Sequence, residues 1–340
     1  MSIRLAIIGA GVMGADHARI VAEDLSGAVL QIVCDADESR AKHIAEKHGA
    51  FHVGTDPETV VARKDVDAVL IASPDDTHAR LTLAAIAAGK PVLCEKPLSP
   101  SSADCLNVID AEVQANRQFV QVGFMRRFDP SYTEMKTALE SGVLGPAMMM
   151  HNVHRNVQSP GPWFTGDMAI TNSAPHEFDI ARFILDADCK SITAAQPSRS
   201  DDLVAPVCMT LETTAGQLVT IEINNNAGYG YDVRGELVGE RGSVSLNAPV
   251  WSRTHADLVT AERFAPDWRP RFAEAYRLQN KAFTNFVETG MPSAIAANAW
   301  DGYCATLVAE KGVLALASGI RVDVETPAMP DLYGKRTTQS

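Results

Sequence analysis

The stretch RLAIIGAGVMG, residues 4–14, decides the fold of this 340-residue chain. A short apolar run, Arg4–Gly9, leads into a glycine-rich turn, and an amphipathic segment follows. A second apolar run, Val29–Asp35, ends in an acid 21 residues after Gly14. A strand, a glycine-rich turn, a helix and a second strand ending in an acid are typical of a dinucleotide-binding unit. An ordinary turn that binds no ligand is the alternative.

Each glycine of this turn has a predicted task. Gly9 permits the tight turn, Gly11 lets the backbone approach a pyrophosphate, and Gly14 lets the helix pack closely on the sheet. The N–H groups of the first helical turn, at Val12 and Met13, face the pyrophosphate together with the positive end of the helix dipole.

The acid at the end of the second strand selects the cofactor. Asp35 can accept both ribose hydroxyls, and its charge repels a 2′-phosphate. Asp37 adds negative charge, and no arginine follows immediately. We therefore expect NAD rather than NADP.

The first third of the chain repeats this strand–helix rhythm. Apolar runs of four to seven residues alternate with amphipathic segments, which is typical of parallel strands covered on both faces. The predicted strands are Arg4–Gly9, Val29–Asp35, Ala50–Gly54, Ala68–Ser73, Pro91–Cys94 and Phe119–Gly123. The predicted fold class is α/β, with an N-terminal doubly wound parallel sheet, a Rossmann domain, over residues 1–122.

The pattern changes after about residue 123. From Ser191 to Ala248, period-two strands such as Gln217–Asn224 follow one another, and turns separate them. Residues 123–340 are predicted to form a C-terminal α+β domain with a large, mostly antiparallel open sheet. We expect the tail after Val324 to be a loosely packed arm.

Composition excludes several classes of protein. The net charge of −12, from 42 acids and 30 bases, argues against nucleic acid and anionic membranes as partners. Six scattered cysteines without a CxxC pair are read as reduced thiols of a cytoplasmic protein. His151 and His154 have no second ligand pair, so no metal site is predicted.

Two candidate segments follow predicted strands of the first domain. Glu95 and Lys96 end the fifth strand, where ligands of open α/β sheets bind. Ser73, Pro74 and His78 follow the fourth strand and are predicted to line the adenosine or ribose side of the cofactor. A buried histidine at a helix start is an equal alternative for His78.

The third candidate segment is NSAPHEFD, residues 172–179. His176 and Asp179 are three apart on a predicted helix and share a face. An imidazole with a pKa near 6.5 can remove a hydroxyl proton as a general base. A surface histidine at a helix start is the alternative.

These segments make the chain similar to the Gfo/Idh/MocA family of oxidoreductases, and within it to bacterial inositol dehydrogenases. The resemblance runs nearly end to end. It is carried by GAGVMG (9–14), CEKPL (94–98), QVGFMRRFDPSY (121–132), HNVHRN (151–156), HEFDIARFIL (176–185), GYGYDVRGELVGERG (228–242) and AWDGY (299–303).

The resemblance implies an NAD-dependent dehydrogenase that oxidises a secondary ring hydroxyl of a cyclitol such as myo- or scyllo-inositol. It implies Lys96 as the catalytic lysine, His176 as the proton acceptor and Asp179 as an acid that binds substrate hydroxyls. It also implies a homotetramer assembled through the open sheet. The residues implied to line the substrate pocket, beyond those three, are Met125, Arg126, His154, Asn172, Ser173 and a tyrosine at 229 or 231, of which Tyr231 is preferred.

One position departs from the family. Where relatives usually have an aspartate four residues before the histidine, this chain has Asn172, which can hold a hydrogen bond but no charge. The loss of a negative partner is expected to lower the pKa of Lys96 and His176 relative to other members. Three other functions stay open: a pyranose dehydrogenase, an NAD-dependent glycosidase and a non-enzymatic NAD-sensing protein.

Overall fold

The computed structural model describes residues 2–247 and 253–334. The chain divides into two compact units. The first holds residues 2–128, 274–306 and 327–334, and the second holds 129–247, 253–273 and 307–326.

The first unit is built on a six-stranded parallel sheet with the strand order β3-β2-β1-β4-β5-β6. This order reverses direction beside β1, as in dinucleotide-binding folds. The predicted Rossmann sheet is confirmed. Its strands are β1 (Ile3–Ile8), β2 (Ala28–Cys34), β3 (His52–Gly54), β4 (Ala68–Ile71), β5 (Val92–Cys94) and β6 (Val120–Val122).

Helices connect these strands, and local sequence explains where several of them begin. The side chains of Asp37, Asp56 and Ser101 accept hydrogen bonds from the first helical turns that follow them. The helices are α1 (Val12–Arg19, continued by a π-helical turn, Ile20–Asp24), α2 (Glu38–His48), α3 (Pro57–Ala62), α4 (His78–Ala87) and α5 (Ser102–Gln114).

A later segment of the chain completes the core of this unit. Phe283 and Phe286 lie in one buried cluster with Leu5, Ile7 and Leu70 of the parallel sheet. The sequence pattern, with one predicted boundary after residue 122, predicts the segment 274–306 as part of the second domain. The structure places it with the first unit because its aromatic side chains cover the sheet, a contact that chain order does not reveal.

The second unit contains a seven-stranded sheet with the strand order β12-β11-β7-β10-β9-β8-β15. Within the described strands of this second sheet, only the pair β7–β10 is parallel, so the predicted mostly antiparallel sheet is confirmed. The strands are β7 (Ala147–Arg155), β8 (Cys189–Ala195), β9 (Val207–Thr213), β10 (Leu218–Asn224), β11 (Asp232–Gly239), β12 (Ser243–Ser245) and β15 (Val322–Asp323), while β13 (Arg253–Ala256) and β14 (Val259–Glu262) form a separate hairpin.

Alternating burial along these strands shows that one face is covered and the other is open. In β7, Met150, Asn152 and His154 are buried, whereas their neighbours His151 and Val153 are only half-buried. Helix α8 packs against β7. The remaining helices are α6 (Pro130–Glu140), α7 (Gly166–Met168), α8 (Pro175–Leu185), α9 (Trp268–Thr289) and α10 (Ala299–Ser318).

Residues 325–334 of the predicted loosely packed tail are mostly exposed or half-buried, with one buried exception. Tyr333 is buried, because burial of its aromatic ring is favourable. Its hydroxyl donates a hydrogen bond of 2.6 Å to Glu112 Oε2. The predicted strand limit at Ala248 and residues 335–340 lie outside the described residues.

Candidate active site

The glycine turn after β1 has the geometry that a pyrophosphate site requires. Gly9 has a φ of +96°, and a Cβ there would stand 2.3 Å from the Ala72 carbonyl oxygen. A Cβ on Gly14 would stand 1.8 Å from the Gly9 carbonyl oxygen, so α1 can approach β1 only without a side chain. A Cβ on Gly11 would meet no atom of the described chain within 4 Å. Gly11 therefore faces open space at the N-terminus of α1, where backbone N–H groups can bind an anion.

The first residues of α1 complete this turn. Gly11 is the N-cap of the helix, and the side chain of Val12 is exposed. Since the first N–H groups of a helix have no partner within the helix, those of Val12, Met13 and Gly14 fit a bound phosphate.

Asp35 closes the turn from the end of β2. Its Oδ2 accepts a hydrogen bond of 2.7 Å from the Ala10 N–H, and its Oδ1 accepts one of 2.9 Å from the Asp37 N–H. Each oxygen keeps a second lone pair that a ribose hydroxyl can use. Arg40 lies near both acids, with its Nη1 3.6 Å from Asp35 and its Nη2 3.5 Å from Asp37. Because Asp35 keeps acceptor capacity for the ribose hydroxyls, the residues present fit NAD.

The predicted residues after β4 lie at the same edge of the sheet as the glycine turn. Ser73 directly precedes Pro74, and the Ser73 hydroxyl shares a hydrogen bond of 2.6 Å with the Thr77 hydroxyl. His78 is only 1% exposed, and both of its ring nitrogens contact backbone carbonyls. Of the two interpretations that the sequence allowed, the buried histidine at a helix start describes His78.

Glu95 and Lys96 follow β5, the next strand of the sheet. Glu95 is buried and its Oε1 lies 2.9 Å from His17 Nε2, while His17 Nδ1 contacts the amide of Asn280. A Cβ on Gly123 would stand 2.9 Å from the Glu95 carboxyl group, so the glycine leaves room for it. Lys96 is half-buried, and its backbone N–H donates to Glu95 Oε2 at 3.3 Å. The buried Glu95 carboxylate thus holds the backbone of Lys96 through this hydrogen bond.

Met125 and Arg126 follow β6 in a short 3-10 turn, Met125–Phe128. Both side chains are buried, with 2% and 1% exposed. Burying a guanidinium group costs free energy unless the charge is paired. Arg126 is therefore not an ordinary surface arginine.

In the second unit, three aromatic side chains lie together. The ring of His154, on β7, is 6.5 Å from the ring of His176 at the start of α8 and 5.8 Å from that of Tyr231. Glu177 Oε2 lies 3.4 Å from His154 Nδ1, and both side chains are buried. Two imidazoles, a phenol and a carboxylate offer donors and acceptors of the kind that a hydroxyl-rich ligand needs.

The remaining predicted residues lie on α8 and on the turn before it. Asn172 and Ser173 end the π-helical turn Ala169–Ser173, in which Asn172 is exposed and Ser173 is buried. The Ser173 hydroxyl accepts a hydrogen bond of 3.0 Å from Asn225 Nδ2. Asp179 is buried one turn after His176 on α8.

The two candidate tyrosines differ in burial and in their neighbours. Tyr231 is buried beside His154, whereas Tyr229 is half-exposed and its hydroxyl bonds to Arg155 and Asp232.

Sequence reasoning missed three residues that contact the predicted ones: His17, Glu177 and Asn225. Glu177 lies between the two singled-out positions of the HEFD stretch, and an acid directly after the predicted general base could have drawn attention to it. His17 and Asn225 give no local signal, because their partners are 78 and 52 residues away.

Over residues 2–247 and 253–334, no cluster of three His, Cys, Asp or Glu side chains could bind a metal ion. In the same part of the chain, no helix combines the length and apolar character needed to cross a bilayer.

Comparison with protein families finds two consecutive matches. Residues 3–124 match the model of an oxidoreductase family with an NAD-binding Rossmann fold, GFO_IDH_MocA, and residues 132–245 match the GFO/IDH/MocA C-terminal domain.

Individual proteins match over nearly the whole chain. The chain is 45% identical to inositol 2-dehydrogenase 2 of Saccharopolyspora erythraea, over 98% of each protein. It is 40% identical to inositol 2-dehydrogenase of Klebsiella pneumoniae, over 98% of this chain and 99% of the other. Among solved structures, it is similar to myo-inositol dehydrogenase from Lactobacillus casei in complex with NAD(H) and myo-inositol. That similarity has a TM-score of 0.93, 27% identity, and coverage of 98% of this chain and all of the other.

Proposed function

The chain belongs to the Gfo/Idh/MocA family of NAD-binding oxidoreductases, and from this we propose that it is an inositol 2-dehydrogenase-like enzyme. In the proposed reaction, a secondary ring hydroxyl of a cyclitol, myo- or scyllo-inositol, is oxidised to a ketone with NAD as the cofactor. The observation that carries the proposal is the buried group of His154, His176 and Tyr231, in a chain whose relatives over full length are named inositol 2-dehydrogenases.

Gly9, Gly11, Gly14 and Asp35 would hold the cofactor, since the turn presents unobstructed backbone N–H groups and Asp35 keeps acceptor capacity for a ribose. Bound NAD supplies the acceptor for the hydride that leaves the substrate carbon.

In the proposed mechanism, His176 and Lys96 both act on the substrate hydroxyl group that reacts. His176 takes the proton when the O–H bond breaks, and the C–O single bond becomes a double bond as the C–H electron pair departs. Lys96 orients the oxygen and stabilises the negative charge that develops on it. Both roles are carried over from the family, residue by residue.

The other hydroxyls of the ring are assigned to buried polar groups. The buried side chains of Asp179 and His154 offer hydrogen-bond acceptors and donors, and the planar guanidinium of Arg126 adds donors in a fixed arrangement. A substrate that lacks one hydroxyl leaves such groups unpaired, so a site of this kind discriminates strongly between polyols. Glu177 supports the assignment, because it holds the ring of His154 from the side of Nδ1.

The finer assignments concern assembly and location. We propose a homotetramer that uses the open face of the second sheet, where Arg155 forms a two-pronged ion pair with Glu222 at 2.7 Å and also bonds to Tyr229. We also propose a cytoplasmic enzyme, since none of the six cysteines, all within the described residues, forms a disulfide. Light scattering coupled to gel filtration tests the tetramer, and a monomer would contradict it.

The function is tested by following NADH formation by absorbance. The panel contains NAD or NADP with myo-inositol, scyllo-inositol, D-chiro-inositol, D-glucose and D-xylose. We expect turnover with NAD and an inositol, and loss of turnover in Lys96→Ala and His176→Ala. Turnover on a pyranose alone would move the substrate and keep the mechanism.

Two results would contradict the proposal. Cleavage of a glycoside without net NADH release indicates a glycosidase that reoxidises its cofactor. Tight NAD binding without turnover of any polyol indicates a sensor. A matched variant, Glu177→Gln, keeps the shape of the side chain and removes its charge. We expect it to raise KM for inositol more than KM for NAD.

A further inference from the structure

His78 contacts two segments of the first unit that are predicted to lie near the cofactor, the turn at Ser73 and the segment at Lys96 and Pro97. It begins α4 and follows the 3-10 turn Asp75–Thr77. Its Nδ1 is 2.7 Å from the carbonyl oxygen of Pro97, and its Nε2 is 2.9 Å from the carbonyl oxygen of Ser73. The ring therefore spans the ends of β4 and β5, which are neighbours in the sheet.

These two contacts decide the protonation of the ring. A carbonyl oxygen only accepts hydrogen bonds, and a neutral imidazole has only one N–H. In either neutral tautomer, the second nitrogen would present a lone pair to a carbonyl lone pair at hydrogen-bond distance. A ring that is 1% exposed cannot relieve that contact with water. The imidazolium, with two N–H groups, satisfies both carbonyls.

Two titratable groups face the ring from neighbouring elements, Cys94 on β5 and Asp75 in the turn before α4. Burial by itself lowers the pKa of His78. The Cys94 sulfur, the Pro97 carbonyl and the Asp75 carboxylate outweigh that effect and raise the pKa to about 10.

We propose that His78 is a positioning residue that stays charged at neutral pH and, as an imidazolium, ties the Ser73 turn to the Lys96–Pro97 segment. Because Pro97 directly follows Lys96, the bond to its carbonyl holds the backbone from which the lysine side chain extends. The charge of His78 and its bridging of the two segments are inferred from the two hydrogen bonds alone. Its consequence for turnover rests on the proposed function.

The charge is tested directly by NMR on the full-length protein with ¹⁵N-labelled histidine. The His78 signals are identified as those missing from His78→Gln. We expect both ring nitrogens to carry protons at pH 8, where a histidine of ordinary pKa near 6.5 is neutral. A neutral tautomer at pH 8 overturns the proposal. This readout needs no substrate, so it remains decisive if the proposed reaction is not observed.

The positioning role is tested with two variants and one control. His78→Gln keeps one donor and His78→Met keeps none. Thr82→Val is the matched control. Thr82 is fully buried one turn later on α4, and its hydroxyl has no hydrogen-bond partner within the described part of the chain.

We expect kcat to fall in the order wild type, His78→Gln, His78→Met, with the last on the order of ten- to a hundredfold lower, because small displacements of a catalytic group are costly. KM for inositol should change less than kcat, and Thr82→Val should match wild type. Equal kcat values for His78→Met and Thr82→Val would refute the role. If His78→Met does not fold, His78→Gln and the NMR measurement still decide.

Discussion

Gly11→Ala should separate cofactor binding from folding in a way that no other glycine of the turn allows. The backbone of Gly11 has φ −70° and ψ −164°, which alanine adopts without strain. The new methyl group would meet no atom of the described chain within 4 Å. It would project into the space assigned to the pyrophosphate.

The expected change in stability is small because two effects oppose each other. Alanine is a poorer N-cap than glycine by about 0.5–1 kcal/mol. It also reduces the entropy of the unfolded chain, which contributes about 0.4–1 kcal/mol in the other direction. The free energy of unfolding without NAD should therefore stay within about 0.5 kcal/mol of wild type.

The expected change in affinity is large. A methyl group that keeps the phosphate from the first N–H groups removes at least one hydrogen bond to a charged group, worth about 1.5–3 kcal/mol. The Kd for NAD should rise roughly 10- to 150-fold. Calorimetric titration with NAD measures the affinity, and urea unfolding of the cofactor-free protein measures the stability.

Gly14→Ala provides the contrast. Its Cβ would stand 1.8 Å from the Gly9 carbonyl oxygen, so α1 must move away from β1. Overpacking of this kind costs about 1–3 kcal/mol, and unfolding should occur at a lower urea concentration. If Gly11→Ala binds NAD within twofold of wild type, or loses as much stability as Gly14→Ala, the assignment of this turn is refuted.

Three further changes have defined outcomes. Asp35→Ala should lower the ratio of kcat/KM for NAD to that for NADP by about tenfold or more, because it removes a ribose acceptor and the charge that repels a 2′-phosphate; an unchanged ratio would contradict the role of Asp35. Tyr333→Phe removes the hydrogen bond to Glu112, a carboxyl group whose pKa burial raises, so it should lower the free energy of unfolding by about 1–3 kcal/mol. Because the pKa of Glu112 is raised in the folded state, this residue stabilises the fold at low pH and does so less as the pH rises. The Tyr333 hydroxyl donates to the charged carboxylate, so its removal should cost more free energy of unfolding at pH 8 than at pH 5. Equal losses in urea unfolding at the two pH values would count against this account. Asn172→Asp should raise the pKa of His176 and move the acidic limb of the kcat/KM profile up by at most about one pH unit, since position 172 is exposed, whereas superimposable profiles would reject the proposed effect of the asparagine.

The sequence alone determined those features whose physical cause is local. Steric freedom at Gly9 and Gly14 and the apolar runs of the first 122 residues sufficed to predict the parallel sheet and its cofactor turn. The period-two pattern around 217–224 predicted the second sheet for the same reason, since side-chain direction along a strand depends only on position. The HEFD stretch placed His176 and Asp179 on one helix face through helical spacing.

Only the tertiary structure decided which distant groups share a buried environment. His78 bonds to carbonyls on two different strand ends, Glu177 faces His154 from another element, and the aromatic side chains of 274–306 cover the first sheet. Each of these contacts depends on how separate elements pack, because desolvation and hydrogen-bond satisfaction act between residues that are close in space, whatever their separation along the chain. The charge state inferred for His78 is therefore a property of the folded protein that no reading of residues 73–78 could supply.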